Sequence, residues 1–285
     1  MKLSITCLLL VYLLFTSIIS HALTNSSAQE DLAYQSNVFI GSAAIADDGS
    51  PVTAYCNATA LSAQVLVTAA HCIVESLEMT QNQIHIEVGN YRYIHRKSDG
   101  KLVRIGYVPI LKKDASALFI VSKNLQLKIA SGSKNLEIPP NEDIAIVILN
   151  EKLELDSNFI FANIVPQDIW QNLRDHLDEA PFFIVSINYL EVSTNDTKRS
   201  SVLNKFSYTA FGWLESQSLS RVEEGDSGSP VFVHIRGQDY LVAVVKGQAS
   251  NIFSNWDVMP ALSGKACEIA NENSLTSEIS SLVCK

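Results

Sequence analysis

Apolar and polar positions alternate along much of the chain in short runs separated by turn-forming residues. Ile84-His85-Ile86-Glu87-Val88 and Leu102-Val103-Arg104-Ile105 show this period of about two, and Ala46-Asp47-Asp48-Gly49-Ser50-Pro51 is a turn cluster. Other runs, Ile144 to Leu149, Phe182 to Ile187 and Tyr240 to Val245, are almost continuously apolar and rich in β-branched or aromatic residues. Runs of that length and composition predict strands. The pattern predicts an all-β fold with two helical interruptions. Ile169, Leu173 and Leu177 recur at four-residue intervals within 166–177, and Leu275, Ile279, Leu282 and Val283 fall on one helical face after Asn273. A short connecting helix and a C-terminal helix are therefore expected.

The first residues follow a different rule. Met1-Lys2, the apolar stretch Ile5 to Ile19 and then Ser20-His21-Ala22 have the three parts of a secretory signal, with cleavage expected after Ala22. The stretch is short for a membrane span and no stop-transfer charges follow it, which disfavours an uncleaved anchor. Residues 23–37 are polar and aperiodic, the pattern of a mobile or extended leader. Export, to an extracellular or periplasmic space, also suits the cysteines. Cys7 departs with the signal, leaving Cys56, Cys72, Cys267 and Cys284, for which the sequence by itself allows three pairings.

Composition narrows the partners. In 285 residues the hydrophobic share is 47%, with only 12 glycines and 8 prolines, which describes a globular chain with material for one large or two small cores. The net charge of −9 and the lack of a basic run argue against nucleic acid or an anionic membrane as partner. No repeat, phosphate-binding glycine loop or clustered ligand set is present, so no cofactor or metal is expected. His85, His95, His176 and His234 are scattered and read as structural or solvent-facing.

The candidate chemistry centres on Gly225-Asp226-Ser227-Gly228-Ser229-Pro230, a turn with a hydroxyl between glycines, where backbone N–H groups can converge on an oxyanion. A serine hydroxyl needs a base, and the base an orienting carboxylate. Val67-Thr68-Ala69-Ala70-His71-Cys72 supplies a histidine, and Asn141-Glu142-Asp143 followed by the apolar run supplies an aspartate. The three segments in this order resemble the trypsin/chymotrypsin family of serine endopeptidases, over about Val38 to Gln248. The resemblance implies two six-stranded Greek-key β-barrels: the first over 38–165 with His71 and Asp143, then the connecting helix and second barrel over 166–262 with Ser227, and a tail over 263–285. It implies His71 as base, Asp143 as its orienter, Ser227 as nucleophile, and the N–H groups of Gly225 and Ser227 as oxyanion donors. A peptide or protein substrate and a monomer are expected. Cys56 and Cys72 lie 16 residues apart, as in the family's histidine loop, so the resemblance implies that pairing and with it Cys267 to Cys284. Of the sequons at Asn25, Asn57 and Asn195, the one beside that disulfide is not expected to carry a glycan.

The departures from the family pattern are equally specific. His71 and Asp143 are 72 residues apart, with the surplus expected in Lys112 to Pro140; Asp114 is a rival orienter, but the run after Asp143 matches the family strand throughout. Neither Lys nor Arg occurs between Lys2 and Arg92, so tryptic processing of the leader is excluded. Val38-Phe39-Ile40-Gly41 is the nearest approximation to the family's Ile-Val-Gly-Gly start, and the partner of Asp226 must be the terminus near Leu23 or an internal side chain. Glu223 stands where the family commonly has a cysteine. Lys246-Gly247-Gln248 replaces a Ser-Trp-Gly run whose serine normally hydrogen-bonds the triad aspartate. Arg221, six residues before Ser227, falls at the floor of the primary pocket, where it would repel basic side chains and could accept Asp or Glu. These departures keep open a second class of function, a catalytically silent binding protein on the same fold. Esterase action on small esters would use the same triad.

Overall fold

The computed structural model describes residues 27–28, 36–45, 51–73, 85–95, 102–109, 117–131, 137–155, 157, 159–177, 182–187, 198–203, 206–210, 212–216, 222, 225–250 and 255–285. The signal segment, most of the leader, Asp114, Arg221, Glu223, Asn25 and Asn195 lie outside them. Among the described residues the chain is mostly β, in three antiparallel sheets without a ladder closing any of them into a barrel.

The seven-stranded sheet runs β6 (Leu102–Pro109), β5 (His85–His95), β2 (Asn37–Ile45), β3 (Pro51–Ala60), β4 (Val65–Thr68), β8 (Ala145–Leu149), β7 (Ala117–Ile120). A five-stranded sheet runs β1 (Ser27–Ala28), β10 (Lys198–Leu203), β9 (Phe182–Ile187), β13 (Pro230–Ile235), β14 (Gln238–Val244). The four-stranded sheet runs β11 (Phe206–Tyr208), β12 (Trp213–Ser216), β16 (Asn255–Pro260), β15 (Gly247–Ser250).

The continuous apolar run of β8 faces two cores. On β8, Ala145, Val147 and Leu149 enter the core of the first sheet, whereas Ile146 and Ile148 enter a second cluster with Phe232, Leu241 and Val244 from the other half of the chain. β4 divides the same way, Leu66 to one side and Val65 and Val67 to the other. This is the period-two geometry of a strand with no solvent face. The shared cluster is the seam that locks the two halves together. Each fully buried Ile or Val in it is worth about 1.5–3 kcal/mol of transfer energy.

Helices are few. α1 (Lys123–Ala130) begins at Ser122, whose hydroxyl accepts from the Leu125 N–H, and it lies in the surplus stretch 112–140, where the sequence predicts no element. Only Leu125 of this helix is buried, so the apolar signal was too thin to see. α2 (Gln167–Arg174) is the expected connector, with Trp170 as its buried anchor and Ile169 and Leu173 partly buried beside it.

The expected single C-terminal helix is two, α3 (Lys265–Glu272) and α4 (Ser277–Val283). Asn273 ends α3 and Thr276 caps α4, its side chain accepting from the Ile279 N–H, while Ser274 between them takes a positive φ of 53°. Leu275 therefore precedes the helix it was assigned to. Ala266, Ile269 and Ala270 of α3 and Val283 of α4 close over the seam, and the Cys267–Cys284 disulfide joins the two helices.

Val38-Phe39-Ile40-Gly41 is strand, paired in the β2–β3 ladder from Val38 opposite Ala58 to Gly41 opposite Tyr55. Val38 and Ile40, two residues apart, point into the first core at 0% and 2% exposure. The likeness to a chain start therefore reflects strand alternation. Of the leader, Ser27–Ala28 forms an edge strand on β10, with Ala28 opposite Arg199 and Arg199 opposite Ser186 on β9. No helix among the described residues is long and apolar enough to cross a membrane.

Candidate active site

Strand pairing brings His71 and Asp143 together. β4 and β8 are antiparallel neighbours with Thr68 opposite Ala145, so the residues just after β4 and just before β8 emerge at the same edge. Ala69 and Ala70 are fully buried and too small to displace the chain as it turns outward to His71. The Cys56–Cys72 disulfide ties that turn to β3. A short 3₁₀ turn, Pro140–Glu142, delivers Asp143. Its neighbour Glu142 is held from α1 by Lys128 Nζ at 3.3 Å and by the Asn124 amide.

Asp143 uses both oxygens on His71. Oδ1 accepts the His71 backbone N–H at 2.8 Å and Oδ2 faces His71 Nδ1 at 2.8 Å. A carboxylate presents only acceptors, so the proton belongs on Nδ1, and Nε2 is left with its lone pair. Lys246 Nζ also donates to Asp143 Oδ2, at 3.1 Å, and to the Ile138 carbonyl at 2.8 Å. The side chain of Asp143 has no solvent exposure, whereas His71 and Lys246 retain 25% and 27%. Burial pushes the carboxyl up, but the hydrogen bonds from His71 and the favourable electrostatics of His71 and Lys246 outweigh it and hold the group below the usual carboxylate range.

Ser227 lies in a turn closed by the Ser229 N–H donating to the Asp226 carbonyl at 3.0 Å. The turn is docked on both halves of the molecule. The Asn57 N–H donates to the Ser227 carbonyl at 2.7 Å, the Gly228 N–H to Val245 O at 2.8 Å, and the Val245 N–H to Ser229 O at 2.9 Å. Gly228 is obligatory, because its φ is +76° and a Cβ there would lie 2.0 Å from Asn57 O and 2.3 Å from Thr68 Oγ1. That contact sets the serine turn against Thr68, three residues before His71. Gly225, φ +97°, has open space around it, and the N–H groups of Gly225 and Ser227 donate to no backbone group among the described residues.

No hydrogen bond joins Ser227 Oγ to His71 among the described residues; His71 Nε2 lies 3.8 Å from Cys72 Sγ. Cys56, His71 and Cys72 lie close enough to suggest a metal site, but both sulfurs are committed to the disulfide and offer no thiolate. Arg221 and Glu223, singled out from the sequence, lie outside the described residues.

Two participants were missed in the sequence reading. Ser186 Oγ donates to Asp226 Oδ1 at 2.5 Å, and Asn57 Nδ2 reaches Ser186 Oγ at 3.4 Å and the Gly225 carbonyl at 2.9 Å. Asn57, Ser186 and Asp226 are all buried. The available signal was a polar residue inside the strand segment Cys56-Asn57-Ala58-Thr59-Ala60, where Asn57 also begins a sequon.

Neither the family models nor the curated proteins give a match to this chain.

Proposed function

We propose that this chain is an exported serine endopeptidase, built as two trypsin-like β-barrels, that hydrolyses peptide bonds through an acyl-enzyme on Ser227. The observation that carries the reading is the double hydrogen bond of Asp143 to His71, with a glycine-flanked serine turn docked against the strand that leads into His71. In the proposed mechanism His71 Nε2 takes the Ser227 hydroxyl proton as Oγ bonds to the scissile carbonyl carbon. The N–H groups of Gly225 and Ser227 receive the oxyanion. His71 then returns the proton to the departing amine, and a water repeats the sequence in reverse to release the acid and Ser227. Asp143 holds the imidazole and balances its charge. No cofactor enters. Export is supported by the N-terminal signal pattern and the two disulfides.

The absence of a Ser227–His71 hydrogen bond among the described residues favours a second reading, a silent binding protein on the same fold. Catalytic hydrogen bonds are often long without substrate, so the enzyme reading stands first. Peptide-library hydrolysis by protein beginning at Leu23, with Ser227→Ala as control, decides between them. Cleavage that disappears in Ser227→Ala supports the endopeptidase; binding without cleavage supports the silent reading. The same profile tests Arg221: cleavage after Asp or Glu that is lost in Arg221→Ala supports an acid-selective pocket, and cleavage after Lys or Arg rejects it.

A further inference from the structure

The turn that carries Ser227 has three consecutive carbonyls, each held by a separate donor. Gly225 O accepts from Asn57 Nδ2 at 2.9 Å, Asp226 O from the Ser229 N–H at 3.0 Å, and Ser227 O from the Asn57 N–H at 2.7 Å. In a trans peptide the N–H points opposite to the C=O. Fixing Asp226 O therefore fixes the direction of the Ser227 N–H, while the Gly228 N–H on the next plane goes to Val245 O. Two of the three restraints come from one residue. Asn57 grips the turn on both sides of Asp226 and hands a further contact to Ser186 Oγ, which itself donates to the Asp226 carboxylate.

Asn57 in turn is hard to move. It is fully buried in β3 beside Cys56 of the disulfide, opposite Phe39 on β2, and its own carbonyl accepts the Thr68 hydroxyl at 2.6 Å. The restraint on the serine turn thus runs through residues of β3 and β9 that are in place without a cut in the chain.

We propose, on the endopeptidase reading given above, that Asn57, assisted by Ser186, is the positioning residue that shapes the oxyanion-binding turn around Gly225 and Ser227. Its side-chain amide substitutes an internal neutral donor for part of the ordering that such a turn needs. Asn57 touches neither substrate nor reacting atoms. Its effect belongs to the transition state, since the two peptide planes it holds flank the one that carries the Ser227 N–H, and that N–H meets a full negative charge only in the tetrahedral intermediate.

The test is steady-state kinetics of the disulfide-bonded chain beginning at Leu23, with kcat and KM measured separately for one peptide substrate, together with inhibition by a peptide boronate that forms a tetrahedral adduct. Asn57→Asp keeps the shape and replaces the donor by an acceptor facing Gly225 O. It should lower kcat by about 10²–10³-fold, the cost of one lost oxyanion donor, and weaken the boronate in parallel. KM should stay within about twofold, as for an interaction made only in the transition state. Ser186→Ala should give a smaller loss of the same kind, about tenfold on that scale. If Asn57→Asp does not fold, Asn57→Ala, which keeps the backbone N–H and adds no charge, carries the test with the same expected split between kcat and KM. Folded variants with kcat unchanged, or with KM raised in place of kcat, overturn the inference while wild-type cleavage keeps the enzyme reading. Wild-type protein that hydrolyses nothing overturns both.

Discussion

Lys246 Nζ lies 3.1 Å from Asp143 Oδ2, the same oxygen that faces His71 Nδ1. A lysine here is therefore part of the carboxylate's setting. It shares the work of keeping a fully buried Asp ionised, and its second bond, to the Ile138 carbonyl, fixes the direction from which it does so. The sequence placed Lys246 beside Asp143 only through a family resemblance, and as a source of disturbance. The geometry gives it a supporting role.

Lys246→Met should make the protein more sensitive to acid. The folded-state pKa of Asp143 is depressed, so its contribution to stability is present above the unfolded value, near pH 4, and is lost as pH falls through the folded value. Removing the lysine leaves burial opposed by His71 alone and raises the folded value. Urea midpoints measured from pH 7 to 3 in a Ser227→Ala background should fall away at higher pH in the variant. Superimposable curves would mean that the lysine does not support the carboxylate.

Gly228→Ala should be among the most damaging single substitutions. A Cβ would meet backbone at 2.0 Å in a conformation of positive φ, with the turn pinned on both sides. A loss of about 3 kcal/mol or more is expected, combining overpacking with backbone strain. Gly225→Ala, with open space at its Cβ, should cost only the strain of φ +97° and be tolerated better in thermal unfolding. Equal losses would contradict the close-approach argument.

The Cys56–Cys72 and Cys267–Cys284 disulfides close loops of similar length, with separations of 16 and 17 residues. Each should contribute about 3 kcal/mol by loop closure. Their functional consequences should differ. Replacing Cys56 and Cys72 with Ala frees the turn at His71 and should reduce both stability and activity. Replacing Cys267 and Cys284 loosens α3 and α4 over the seam and should lower the melting temperature, with the remaining activity at 25 °C near wild type. The reverse pattern would misplace the first disulfide in this account.

Protein that begins at Leu23 should be active without a processing protease. No Lys or Arg lies between Leu23 and Arg92, the stretch at Val38 is mid-sheet, and Ser27–Ala28 is paired with β10 in the uncut chain. N-terminal sequencing of active protein should read from near Leu23. Activity that appears only after a cut near Val38 would refute this. The same preparation from a glycosylating host should carry no glycan on Asn57, whose amide is buried and already donating.

What could be read from the chain follows a physical division. Strands with two buried faces, such as Ile144 to Leu149, announce themselves by continuous β-branched runs, and the candidate residues His71 and Asp143 follow because they sit next to the ends of such strands. Helix α1 was invisible because Leu125 is its single buried side chain. The break between α3 and α4 depended on capping at Asn273 and Thr276, which weighed less than an apolar face that in fact spanned a turn. The clamp formed by Asn57 and Ser186 was not legible at all. It joins residues 129 apart through side-chain geometry that no periodicity encodes.

The central claim is that Ser227 is a nucleophile activated by His71. The most direct measurement is to treat purified protein beginning at Leu23 with a fluorophosphonate probe and map the modified residue by mass spectrometry. The account predicts one adduct, on Ser227, absent in Ser227→Ala and formed far more slowly in His71→Ala. A chain that remains unlabelled, or one labelled equally well in both variants, would contradict it.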